Sequence, residues 1–243
     1  MAVEQTLHVK ISPLIMRDRF LTRVRHRVLK TKIVTEPQDV DARLAAFGVR
    51  RQDLLQIPLL ALGARNDSVP FDPRTAKGQF SYIYGVRAMR QVFVPAGYEV
   101  VSRQNIESVY HPSAGRKIMF QTVDCACLES QIPEAISEIG TGKETVIQKS
   151  SGYLFEEMQQ EDELRRKTLS DFDRAEAWYL CTAFVNETVT CELSRPEGVI
   201  DKQFSGFIER IFILSGDDAG MSKLINLDDD TPPLEIKPQI SKR

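Results

Sequence analysis

Seven cations fall within sixteen residues, at Arg17, Arg19, Arg23, Arg25, Arg27, Lys30 and Lys32; only Asp18 opposes them, leaving a surplus of +6. Guanidinium and ammonium groups at that density would neutralise a row of phosphates or an acidic protein surface. Arg50, Arg51, Arg87 and Arg90 would extend the same patch. The cluster belongs to a wider asymmetry. Residues 17–117 carry 18 Lys/Arg against 9 Asp/Glu and residues 118–243 carry 13 against 24, so the net charge of −2 conceals halves of +9 and −11. The basic side chains also have a purely structural use, since long arginines lie along apolar surface and pair with acids elsewhere in the chain.

Catalysis would need carboxylates. Glu99, Lys117 and Asp124 fall on what reads as a helix followed by three strands, the arrangement on which restriction-type nucleases place metal-binding carboxylates and a lysine. Two neighbouring carboxylates would hold a divalent ion that generates the attacking hydroxide. Phe120, Gln121, Thr122 and Val123 occupy the stretch where an acidic-x-Lys pair is required, which argues against that chemistry. Cys125 and Cys127 are one residue apart, closer than structural zinc uses, while Cys181 and Cys191 would face each other on a hairpin as a metal half-site or as buried thiols. Gly140-Thr141-Gly142-Lys143 lacks the spacing of a phosphate loop, and Asp217-Asp218 and Asp228–Asp230 lack the glycine and spaced ligands of a calcium loop. No metal or other cofactor is expected.

The elements that would position these groups follow from periodicity. Leu7, Val9 and Ile11 alternate as a short strand, and Phe20, Leu21, Val24, Val28 and Leu29 suit one face of a helix carrying the basic cluster outward. Glu36-Pro37 starts a helix that Gly48 ends, and a second runs from about Arg51 until Pro58 stops or kinks it. That pair resembles a helix-turn-helix in outline, with Arg50, Arg51 and Gln52 as groove-reading candidates, although Leu54 to Leu62 is too apolar to lie exposed on DNA. A further helix spans Gln79 to Phe93, and strands follow at Tyr98–Ser102, Ile106–Tyr110 and Lys117–Val123. Residues 125–149 read as a connection, and a charged helix with Glu156, Glu157, Glu161, Asp162 and Glu163 comes next. Strands at Trp178–Val185, Thr188–Ser194 and Phe207–Leu214 precede an acidic tail.

The expectation is an α+β protein: a helical N-terminal part, then small antiparallel sheets, with a charged helix between the strand groups. Its regions are 1–124 (basic), 125–149 (connection), 150–216 (acidic, with a hairpin) and 217–243 (acidic tail), which would also fit one compact domain. Hydrophobic content of 42% over 243 residues suits a globular chain. No apolar stretch approaches membrane-spanning length, and Met1 to Ile11 lacks a signal-peptide core, so the expected place is the cytoplasm, with cysteines as thiols. The function expected is non-enzymatic nucleic-acid association through the basic patch. The alternatives are a protein–protein assembly component, self-association included, that uses basic–acidic complementarity, and a metal-dependent nuclease.

Overall fold

The structure, a computed structural model, describes residues 30–151, 169–185 and 188–216. Arg17, Arg19, Arg23, Arg25 and Arg27, the helix expected over them, the acidic helix through Glu156–Glu163 and the Asp-rich tail lie outside the described residues. The described elements run β1 (Lys32–Val34), α1 (Pro37–Ala45), α2 (Arg51–Asn66), α3 (Ala76–Phe93), β2 (Glu99–Arg103), β3 (Ile106–His111) and β4 (Arg116–Val123). They continue with α4 (Thr141–Ser151), the single turn α5 (Asp171–Arg174), β5 (Glu176–Val185), β6 (Thr188–Ile200) and β7 (Gln203–Leu214).

Pro37 opens α1 where no backbone N–H is needed, and Gly48, at φ +74°, turns the chain after it. Val40, Leu44 and Phe47 are buried, as their helical spacing predicts. Pro58 does not stop α2, which continues to Asn66. An interior proline costs about 3 kcal/mol. Burial of Leu54, Leu55, Ile57 and Leu62 against the sheet outweighs it, at about 1.5–3 kcal/mol for each large side chain.

Helices and strands are mixed as expected, but the strands among the described residues form one seven-stranded sheet, ordered β1-β7-β6-β5-β4-β3-β2, rather than small antiparallel sheets. Two pairings are parallel, β1 with β7 and β4 with β5; the other four are antiparallel. Parallel neighbours need a crossover, and here the stretch between β4 and β5 carries α4 across one face. Helices α1 to α3 cover the opposite face, where Ile118, Phe120, Trp178, Leu180, Leu193 and Ile211 form the larger core. Ile147 of α4 packs with Met119, Tyr179, Cys181 and Ala183 in the smaller one.

Helix α4 lies inside the stretch expected to be a connection. Its glycines read as loop punctuation, yet Gly140 accepts the first helical bond from Glu144, at 3.0 Å. Gly142 lets the first turn approach the sheet: a Cβ there would stand 3.3 Å from Ile106 Cδ1. Strand β6 also outruns its expected end at Ser194, passing Pro196 and Gly198 through register shifts to reach Ile200. Among the described residues no helix is long and apolar enough to cross a membrane.

Candidate functional site

Parallel strands β4 and β5 end side by side, with α3 packed on one face of the sheet and α4 on the other. The crevice beyond the carboxyl ends of such strands is where open α/β sheets take ligands. A cavity of about 770 Å³ lies there. Its walls come from the last turn of α2, the start of α3, the ends of β4 and β5, and the first turn of α4.

Four cations line it: Arg65 from α2, Arg74 and Lys77 around the start of α3, and Lys143 from α4. Asp124 is the one carboxylate among the described lining residues, and its Oδ1 already accepts from the backbone N–H groups of Cys125 and Glu134, each at 2.7 Å. None of the four cations has an ion-pair partner among the described residues. Arg65 lies over the Phe184 ring, 5.3 Å from its centroid. Lys143 Nζ donates to Gln121 Oε1 at 2.7 Å, a neutral acceptor that β4 holds almost fully buried. Burial pushes the Lys143 ammonium below its ordinary value, so the fold keeps this cation partly desolvated with no carboxylate paired to it among the described residues. Thr75 precedes α3 without capping it through its side chain, so the positive end of an 18-residue helix also faces the crevice.

The basic residues singled out from sequence are placed differently. Lys30 is exposed, and Lys32 pairs with Glu209 at 3.0 Å. Arg50 binds Asp53 through Nε and Nη2 at 2.8 and 2.7 Å, and Arg51 Nε donates to the Ile213 carbonyl at 2.8 Å. Arg90 pairs with Glu107, while Arg87 lies over Tyr84 at 4.4 Å. These described members of the patch are spread over the chain just before β1, β1 itself, the start of α2 and the second half of α3. Of the helix-turn-helix outline, Arg50 and Gln52 are exposed, Arg51 donates to β7, and the apolar run of α2 lies in the larger core.

Glu99 and Asp124 are not brought together. The register aligns Glu99 with Tyr110 and Tyr110 with Lys117, whereas Asp124 follows the far end of β4, seven residues or about 23 Å along the strand direction. Lys117 is fully buried, donates to the Phe172 and Asp173 carbonyls at 2.9 and 3.1 Å, and is pushed down to about 8, by burial foremost. Cys181 aligns with Glu192 and Cys191 with Thr182, one position off the expected register. That offset sends the two thiols to opposite faces of the sheet and into different cores. All four cysteines are free, and no group of three or more metal-ligating side chains occurs among the described residues.

A second cavity, about 440 Å³, is lined by Arg103, Ile106, Met119, Lys149, Phe172 and Asp173. Lys149 there reaches Asp173 at 3.5 Å, and Arg103 lies over Phe172 at 4.7 Å as Arg65 lies over Phe184. The first crevice is distinguished by the number of its cations, four without an ion pair among the described residues against one in the second cavity. Sequence reasoning missed Arg65, Arg74, Lys77 and Lys143 as a set, since no local spacing relates them. The strand order and the crossover through α4 bring them to one edge. No family model matches this chain, and no curated protein or solved structure matches it.

Proposed function

We propose that this protein is a non-enzymatic nucleic-acid-binding protein whose phosphate-binding centre is the crevice at the ends of β4 and β5. The observation that carries the reading is the charge balance of its lining, four cations without ion-pair partners among the described residues against one carboxylate engaged by backbone N–H groups. Phosphate is the anion that repays such an arrangement, because each phosphate engaged releases condensed counterions from the polymer. In this reading Arg17, Arg19, Arg23, Arg25, Arg27 and Lys30 bind further phosphates and carry no sequence information.

Fluorescence anisotropy with a labelled oligonucleotide across a salt series tests it. Affinity falls steeply as salt rises, and Lys143→Gln or Arg74→Gln flattens the plot of log affinity against log salt by about 0.7–0.9 for each phosphate no longer neutralised. Absence of binding at about 50 mM salt, or slopes unchanged by both substitutions, would overturn the reading.

A reading in which complementary halves direct assembly is favoured by Lys32 and Arg43 meeting Glu209, at 3.0 and 2.8 Å, and Arg116 meeting Glu176 at 3.7 Å. Each pair joins the basic half to the acidic half within one chain. An intermolecular form of this reading requires oligomers that dissociate with salt, which light scattering detects.

A further inference from the structure

We infer that the ligand of the crevice is a single strand, engaged by base stacking on Phe71 in the adjoining α2–α3 loop while its backbone reaches Lys143; this rests on the nucleic-acid reading above. The loop joining α2 to α3 connects two of the crevice walls, and Phe71 sits in it, three residues before Arg74 and 99% exposed. No other large apolar side chain among the described residues is so fully exposed. A solvent-facing phenyl ring contributes nothing to the core, yet it is what stacking on an unpaired base requires. The backbone turn that carries it is fixed: Asp72 Oδ2 accepts from the Val69 N–H at 2.8 Å, and the Asp72 N–H donates to the Val69 carbonyl at 3.0 Å. Aromatic platform and cationic track thus stand within a few residues of each other.

The size of the site favours a single strand over a duplex. A cavity of about 770 Å³ is of the size that encloses a small ligand, so one or two nucleotides enter it and a double helix rests on its rim. Lys143 is half-buried against Gln121, and only a strand whose backbone is free to bend inward presents a phosphate to it. In a duplex the bases are already stacked and Phe71 has no free face to cover. Sequence preference would be slight, because every base offers a π-face.

The test uses the full-length chain and three probes: labelled oligothymidine of about 16 nucleotides, a duplex of the same length, and thymidine monophosphate as competitor. The single strand is expected to bind at least about tenfold more tightly than the duplex. Phe71→Ala should weaken single-strand binding about fivefold or more with an unchanged salt slope, Phe71→Trp should restore it, and duplex binding should not respond. Circular dichroism confirms that Phe71→Ala folds, as its exposure implies. Salt-dependent binding in which duplex equals single strand, or in which Phe71→Ala is neutral, overturns the stacking inference and leaves the nucleic-acid reading standing. Displacement of the oligonucleotide by equimolar monophosphate also overturns it, and identifies a small phosphorylated ligand. Failure of both oligonucleotides to bind overturns the parent reading with it.

Discussion

Lys143 and Lys117 show how one residue type acquires two roles from its surroundings. Burial lowers the pKa of both, but Lys117 spends its protons on two backbone carbonyls, whereas Lys143 meets one amide oxygen and lines a cavity. An anion beside Lys143 favours the protonated form, so binding should weaken as pH rises through its lowered pKa, below the 10.5 of an ordinary lysine. Anisotropy between about pH 7 and pH 10 reads this. Lys143→Arg should remove the dependence, since a guanidinium stays charged throughout. For Lys117 the folded value of about 8 lies below the unfolded 10.5, so the unfolded chain binds more protons between them. Stability carried by this residue should rise with pH across that window, by about 3 kcal/mol in total, with no contribution to the slope below it. Subtracting urea curves of Lys117→Met from those of the parent isolates the effect. The thiols give a simpler expectation. Burial, foremost, pushes Cys125 up to about 11 and Cys191 to about 12, so alkylation of the native protein at about pH 8 should be slow and should accelerate on unfolding.

At the scale of elements, two junctions decide how the crevice walls stand. Helix α3 meets the sheet at Gly85, where an added Cβ would lie 2.4 Å from Phe120 Cζ; the ring is buried and has nowhere to move. Gly85→Ala should cost about 1–3 kcal/mol, seen as a lower urea midpoint with an unchanged slope. The loop from Asp124 to Gly140, which supplies Ile136 and Ser137 to the lining, is held by Arg210. That guanidinium donates to the Leu128 and Gln131 carbonyls, both at 2.9 Å, and to Glu192 at 2.8 and 2.7 Å. Glu192→Ala strands a buried cation and should cost about 3–5 kcal/mol by denaturant titration. It should also weaken oligonucleotide binding, because the loop loses the carboxylate that accepts from the Cys127 N–H at 2.6 Å and orients Arg210.

For the whole molecule, legibility followed the range of the interaction. Apolar spacing located α1 and α3, and apolar, β-branched runs located β2 to β5 nearly in place and parts of β6 and β7, because both signals are local. Helix α4 was hidden by two glycines, of which Gly142 serves close packing, and the length of α2 by a proline whose cost tertiary burial outweighs. The parallel pairing of β4 with β5 unites strands from both halves of the chain, and no local pattern encodes it. Its consequence is a convergence: Arg65, Arg74, Lys77 and Lys143, scattered over 79 positions, line one crevice, while Arg50, Arg87 and Arg90, at the start of α2 and in the second half of α3, lie outside its lining. Ultraviolet cross-linking of the full-length protein to oligothymidine, followed by mass spectrometry of the peptides, tests that convergence most directly. The account predicts cross-links on peptides holding Phe71 to Tyr82, Gln121 to Asp124, and Lys143. Cross-links confined to the start of α2 or to Arg87 and Arg90, with the crevice peptides unmarked, would contradict it.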